Sequence, residues 1–122
     1  MRTSTSSGSP FEAQIGFTRG VRIGDVIAIS GTAPIGAEDG DIEAQTRRCL
    51  ELIKKAIEDL GGELKDVVRT RIFLTDVSVW KGAAKIHGEF FSKIRPASTF
   101  VGTSALLNPA WLVEIEADAL VS

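Results

Sequence analysis

Three carboxylates near the C-terminus have the type and spacing to do chemistry. Glu114, Glu116 and Asp118 alternate with small or aliphatic residues along the stretch 113–121. A period of two over this length predicts a half-buried β-strand with one aliphatic face and one acidic face. One carboxylate of this set is a candidate general base that positions a water molecule. The alternative is a sheet face whose acidic residues pair with cations, and the alternation alone leaves both interpretations open.

Arginines supply the matching positive charge. Arg69 and Arg71 alternate along a second predicted strand, 67–77, where guanidinium groups suit either pairing across an interface or recognition of a carboxylate. Arg95 lies at a predicted corner between a helix and a strand, from which it could reach a pocket or remain solvated. Because Pro96 follows, the sequence predicts an extended backbone at Arg95.

The other reactive residue types give weaker signals. His87 is the only histidine and has no Ser, Cys or Asp constellation near it in sequence, so packing against a helix is predicted rather than catalysis. Cys49 occupies an apolar helical position and is interpreted as an inert core thiol. Ser30-Gly31 ends a strand in glycine, where backbone amides can meet an anion. Metal-ligand spacings and phosphate-loop or hydrolase motifs are absent, so no metal site is predicted.

Composition sets the class of protein. The 122 residues are enough for one hydrophobic core, and we predict a single domain over 11–122 after a flexible Ser/Thr/Gly-rich arm at 1–10. With 14 Lys plus Arg and 16 Asp plus Glu, the charge of -2 argues against nucleic acid as a partner. A single cysteine, no signal-peptide core and no long apolar run predict a cytoplasmic protein without a membrane partner.

Two amphipathic helices and five strands are predicted to position these residues. The helices cover 42–60, with Asp41 as the cap and Gly61-Gly62 as the end, and 79–93, ended by Pro96. The strands are predicted at 16–22, 26–30, 67–77, 98–105 and 112–121. The order β-β-α-β-α-β-β predicts an α+β fold with a mostly antiparallel sheet and both helices on one face.

Two helices cover only one face of such a sheet. The other face would present Arg69, Arg71 and Phe73 beside Glu114 and the two acidic residues that follow it. A mixed charged and apolar face suits contact with other subunits, so we expect a homo-oligomer.

The chain resembles the Rid family, the reactive-intermediate deaminases also called YjgF or endoribonuclease L-PSP-like proteins. The resemblance extends from the end of the N-terminal arm to the C-terminus and is carried by an ordered set of landmarks. These are GVRIGDVIAISG, the helix with Gln45 that ends in GG, DVVRTRIFLTDV, GEFF followed by RPAS, and LVEIEADA.

The resemblance implies a chorismate-mutase-like protomer and a homotrimer with a central barrel and three clefts between subunits. Members that act as deaminases hydrolyse enamines or imines to 2-oxo acids and ammonia without a cofactor. In them a glutamate and backbone groups position water, while the arginine of a Pro-Ala-Arg motif binds the substrate carboxylate through a bidentate pair.

The motif residues carry over one by one. Glu114 matches the glutamate associated with water, and Ser30 and Gly31 match the Ser-Gly pair that lines the cleft. Pro96 and Ala97 match the motif, but Ser98 stands at the arginine position. Phe17 falls where many members have tyrosine, and Phe100 where a small residue or cysteine is usual. Arg95, three residues before Ser98, is the candidate to replace the arginine.

Ser98 in place of the motif arginine changes the substrate that we expect. Serine cannot form a charged bidentate bond, and such a bond contributes roughly 1.5–3 kcal/mol, about tenfold or more in carboxylate recognition. The sequence therefore favours a trimer whose clefts bind a small polar metabolite and hydrolyse it through Glu114, with weak activity on 2-aminoacrylate-type substrates. A trimer that binds a ligand or acts as a chaperone without turnover is the alternative. Endoribonuclease activity ranks third, because no basic stripe is present.

Overall fold

The computed structural model describes all 122 residues. It has six strands and three α-helices: β1 Arg2–Thr5, α1 Phe11–Ile15, β2 Gly20–Ile23, β3 Val26–Thr32, α2 Ile42–Asp59, β4 Val67–Leu74, α3 Trp80–Phe91, β5 Ala97–Gly102 and β6 Val113–Leu120. Short 3-10 turns at Leu64–Asp66 and Val77–Val79 lead into β4 and α3. None of the helices combines the length and apolar composition that crossing a membrane requires.

The strands form one sheet in the order β1-β2-β3-β6-β4-β5. All neighbouring pairs are antiparallel except β4 and β5, which run parallel because α3 carries the chain back across the sheet between them. This mixed, mostly antiparallel arrangement confirms the predicted α+β fold. β6 lies at the centre of the sheet, between β3 and β4.

The core lies between the sheet and the two long helices. Alternate residues of β6 contribute to it, and the carboxylates between them face away from the helices. Eighteen hydrophobic residues form this cluster, with Ile115 and Ile72 from the sheet and Leu50, Ile53 and Ile86 from the helices fully buried. The predicted aliphatic face of β6 is therefore confirmed.

The ends of α2 match their sequence signals. Asp41 Oδ1 accepts a hydrogen bond of 2.9 Å from the Ala44 amide, which satisfies one free amide of the first turn. The helix ends before Gly61, whose φ of 85° lies in the left-handed region that glycine adopts without strain.

Three local predictions are corrected. Residues 1–10 were predicted to be a flexible arm, but Arg2–Thr5 forms an edge strand paired with β2, which two β-branched threonines favour. The strand 67–77 was predicted to alternate throughout, but in β4 a bulge between Val67 and Arg69 breaks the alternation at the start, burying Val67 and exposing Val68. Arg95 was predicted to be extended, but its φ is 59°. Its amide donates a 2.7 Å hydrogen bond to Phe91 O, which terminates the last helical turn.

Candidate functional site

Glu114 lies on the face of β6 away from the helices, between the buried residues Val113 and Ile115. Next to it, β3 departs from regular pairing between Ile29 and Thr32, and Gly31 lies in this irregular segment. A Cβ atom at position 31 would collide with Oε1 of Glu114. Gly31 therefore leaves the space that the Glu114 carboxylate occupies, and a side chain at position 31 would require this carboxylate to move.

The surroundings of Glu114 change its acidity. Partial burial raises the pKa of this carboxyl above its ordinary value, the positive charge of Arg19 opposes the rise, and the negative charge of Glu116 adds to it. A carboxylate with a raised pKa is a better proton acceptor than an exposed one. Glu114 thus has the property expected of a group that activates water.

Arg19 is the residue at this site that sequence reasoning missed. One of its terminal nitrogens, Nη1, donates to Gly31 O at 2.6 Å and to Thr32 Oγ1 at 3.1 Å. The guanidinium carbon lies 5.7 Å from the centre of the Phe17 ring, within cation–π range. Nε and Nη2 donate no hydrogen bond within the chain. The sequence offered only its position two residues after Phe17 as a signal. The strand predicted at 16–22 begins four residues before the observed start of β2 at Gly20, so Arg19 was assigned to a strand.

Ser30 contacts the same segment. Its hydroxyl donates to Thr18 O at 2.6 Å, and its amide donates to Arg19 O at 3.0 Å. These bonds fix Ser30 and the Arg19 backbone to each other. We call the group of Phe17, Arg19, Ser30, Gly31 and Glu114 the Glu114 corner.

A second group forms where β5 meets α3. Thr70 on β4 is fully buried, and its hydroxyl lies 2.8 Å from Ser98 Oγ and 2.8 Å from His87 Nε2. The Phe100 ring lies edge-on to the His87 ring, with centroids 5.6 Å apart. Ser98 itself is exposed. We call Thr70, His87, Ser98 and Phe100 the Ser98 corner.

The remaining carboxylates of β6 are paired. Arg71 Nη1 lies 3.1 Å from Glu116 Oε1 and 3.4 Å from Asp118 Oδ2. A shallow depression of about 350 Å³ follows this part of the face, and Ser30 lines it but Glu114 does not. The depression is an open surface whose Arg71, Glu116 and Asp118 already pair with one another, so the geometry around Glu114 marks the stronger candidate site. Arg69 makes no ion pair within the chain.

Cys49 has the environment of a core thiol. It is fully buried, and burial raises the pKa of its thiol far above the ordinary value. The predicted core position of this cysteine is confirmed. No group of three or more His, Cys, Asp or Glu side chains is arranged to hold a metal ion.

Comparison with known proteins identifies the family to which this chain belongs. Residues 8–121 match the family described as Endoribonuclease L-PSP. The chain belongs to this family, which includes the YjgF and Rid proteins. A RutC family protein from Pyrococcus abyssi is 32% identical over 108 residues, 84% of each chain.

Solved structures of family members have the same fold. A crystal structure of a YjgF/YER057c/UK114 family member from Mycobacterium tuberculosis superposes with a TM-score of 0.94 and 48% identity, covering 99% of this chain and 100% of that one. A Rid-family protein of unknown function from Yersinia pestis gives a TM-score of 0.84 at 27% identity, covering 99% of this chain and 100% of the other.

The structure separates the residues that the family resemblance assigns to one cleft. Ser30 and Gly31 on β3 lie with Glu114 on β6, and Phe17 lies in the segment before β2. Ser98 and Phe100 lie on β5, and the Ser98 side chain bonds to Thr70 on the helix side of the sheet. Glu114 faces the other side, so the two corners do not meet within one protomer.

Arg95 joins neither corner. It is exposed at the end of α3 and makes no side-chain hydrogen bond or ion pair within the chain. Within one protomer, the arginine whose positive charge acts on Glu114 is Arg19.

Proposed function

We propose that this Rid-family protein is a homotrimer with a cleft at each subunit boundary. In each cleft the Glu114 corner of one subunit faces the Ser98 corner of its neighbour. The separation of the two corners within a protomer supports this proposal, because only a second copy can complete the site. The sheet face away from the helices also exposes Ile23, Val26 and Leu120 to between 50% and 55%, a surface that suits burial against another subunit.

We propose further that the cleft binds a small polar metabolite and hydrolyses an imine or its enamine. The observation that carries this proposal is the half-buried Glu114, whose pKa is raised and whose carboxylate lies against Gly31. Ionised Glu114 takes a proton from water as the water oxygen bonds to the imine carbon. The π electron pair of the carbon–nitrogen double bond goes to nitrogen, which receives the proton from Glu114. The resulting carbinolamine then breaks down to a carbonyl compound and ammonia. No cofactor takes part.

Arg19 supports binding of a polar ligand beside Glu114. Two donors of its guanidinium are committed to Gly31 and Thr32, and those on Nε and Nη2 remain for a ligand. Ser98 has no positive charge to offer on the opposite wall. Weak activity on 2-aminoacrylate-type substrates follows, since carboxylate recognition then lacks the motif arginine.

The experiment compares the wild type with Glu114→Gln and with the control Glu116→Gln. An amino-acid oxidase generates one imine, which carries a carboxylate, in situ. An amine oxidase generates a second imine without a charge. Hydrolysis is measured as release of the carbonyl product. We expect faster hydrolysis than in buffer for the wild type, about 100-fold slower turnover for Glu114→Gln, and little change for Glu116→Gln. Equal rates for wild type and Glu114→Gln would remove the catalytic role.

Binding without turnover is the second candidate function. The hydrogen bond that ties Ser98 to Thr70 favours it, because the side chain at the motif position is engaged within the protomer. A thermal shift induced by a 2-oxo acid, retained in Glu114→Gln and unaccompanied by hydrolysis, would select this function.

Light scattering at micromolar concentration tests the assembly, and a monomeric mass would contradict the shared cleft.

A further inference from the structure

The imidazole of His87 is held in a fixed orientation that the proposed hydrolysis leaves unexplained. Its ring lies between Phe91, at 4.8 Å between centroids, and Phe100, at 5.6 Å. With both rings in place, Nε2 is directed at the hydroxyl of Thr70, 2.8 Å away. His87 is the only histidine in the chain, so its protonation can be followed without ambiguity.

Thr70 links His87 to the surface. Its hydroxyl is fully buried and has two partners, His87 Nε2 and Ser98 Oγ, each at 2.8 Å. A hydroxyl carries one proton, so Thr70 donates in one of these bonds and accepts in the other. The two bonds therefore run in a common direction, from Ser98 towards His87 or from His87 towards Ser98. Reversal of that direction moves one proton between Ser98 and His87 along the two hydrogen bonds.

His87, at the buried end of these two hydrogen bonds, is suited to accept a proton and release it. Burial lowers the pKa of His87, so the neutral imidazole prevails near neutral pH. The side chains that hydrogen-bond to its ring or pair with it are Thr70 from β4, Phe100 from β5 and Phe91 from its own helix, and none of these three is charged. An imidazolium formed here has no carboxylate partner among the ion pairs of the protomer, which favours return of the proton.

We propose that Ser98, Thr70 and His87 form a proton relay that serves the ligand in the cleft. The proposal rests on the proposed hydrolysis and adds a proton carrier on the wall opposite Glu114. Ser98 is exposed at the outer end, where it contacts the substrate, and it is the catalytic residue of the relay. Thr70 and His87 act through it as positioning residues.

The relay acts on the carbinolamine that forms after water addition. The hydroxyl proton of the carbinolamine passes to Ser98 Oγ while the Ser98 proton passes to Thr70 and the Thr70 proton passes to His87 Nε2. The reverse movement then delivers one proton from Ser98 to the nitrogen. The carbon–nitrogen bond breaks with its electron pair going to nitrogen, ammonia leaves, and the carbon–oxygen double bond forms. His87 ends neutral, and no proton is gained or lost by the protein.

Thr70→Val tests the relay, because valine preserves the shape of threonine and removes the hydroxyl. The matched control is Thr46→Val, which removes another fully buried hydroxyl, one that has no hydrogen-bond partner. In both variants kcat and KM for imine hydrolysis are measured against pH, and His87 is titrated through its imidazole NMR signals. Thermal melts establish that each variant is folded.

In the wild type we expect kcat to fall on the acid side with a midpoint that coincides with the NMR titration of His87. Thr70→Val should lower kcat about 10- to 100-fold with KM unchanged, and its kcat should no longer follow the His87 titration. Thr46→Val should behave as the wild type. A purely structural role for Thr70 would not uncouple the rate from the histidine.

Other outcomes decide against the relay. Retention of the wild-type kcat and pH profile in Thr70→Val overturns it and leaves the proposed hydrolysis intact. Absence of hydrolysis by the wild type overturns the proposed function and the relay together. If Thr70→Val does not fold, Ser98→Ala at the exposed end replaces it, with the same expected loss of kcat and the same criterion for rejection.

Discussion

The two faces of β6 differ in how each residue acquires its properties. On the helix side, Val113, Ile115 and Ala117 share one environment, and all are almost completely buried. On the other side, Glu114 and Glu116 are two residues apart and chemically identical, yet only Glu116 is paired with Arg71, while Glu114 lies against Gly31 with a raised pKa. The helix-side residues share one role in the core, whereas each carboxylate on the other face has its own contacts, a salt bridge for Glu116 and partial burial against Gly31 for Glu114.

The largest effect should come from a charge on the buried face. Ile115→Asp removes a fully buried side chain worth roughly 1.5–3 kcal/mol and adds a carboxylate without a partner, against a total stability of about 5–15 kcal/mol for a domain. We expect no cooperative unfolding transition by circular dichroism. Glu116→Ala, the next position on the opposite face, should stay folded. A folded, soluble Ile115→Asp protein would mean that the two faces are assigned the wrong way round.

The second comparison is the pH dependence of stability, which should have opposite signs at the two corners. Because the pKa of Glu114 is raised, the folded state binds the proton of this carboxyl more tightly than the unfolded state does. The contribution of Glu114 to folding stability therefore becomes more favourable as pH falls through the raised pKa. Because the pKa of His87 is lowered, its contribution is fully present above the ordinary histidine pKa and is lost as pH falls through that value towards the folded one.

Melting temperatures of Glu114→Gln and His87→Gln, each compared with wild type from about pH 4 to 8, separate the two groups. Glu114→Gln should gain stability relative to wild type at neutral pH and lose this gain in acid. His87→Gln should lack the decline in stability that wild type shows as pH falls through the ordinary range of histidine. Parallel curves for all three proteins would mean that neither environment shifts the pKa of its group.

The smallest effect is expected from the ion pairs of the open face. Arg71 and its two acidic partners are between 33% and 41% exposed, and such pairs contribute about 0–1 kcal/mol. Arg71→Ala should therefore lower the free energy of urea unfolding by less than about 1 kcal/mol, close to the effect of Arg69→Ala, which removes an unpaired arginine. A loss above about 3 kcal/mol would place these pairs in a buried subunit interface.

The candidate site was only partly predictable from the sequence. The strand alternation offered three carboxylates and the strand-ending glycine offered Ser30-Gly31, and the family resemblance then singled out Glu114. The contact between Gly31 and Glu114 gives this choice a physical reason. Arg19 was missed because its place beside Gly31 depends on how the segment before β2 crosses the end of β3. Arg95 was offered instead, because it lies at a predicted corner between a helix and a strand and only three residues before Ser98.

The sequence by itself determined the elements whose signals are local. The period of two in β6, the Asp41 cap of α2 and the glycine at its end each follow from covalent geometry and from hydrogen bonds within a few residues. Strand register and side-chain convergence required the folded chain. The bulge in β4 inverts Val67 and Val68, and Thr70 meets His87 and Ser98 from positions 17 and 28 residues away. Contacts across such separations depend on how strands and helices pack, which no local periodicity encodes.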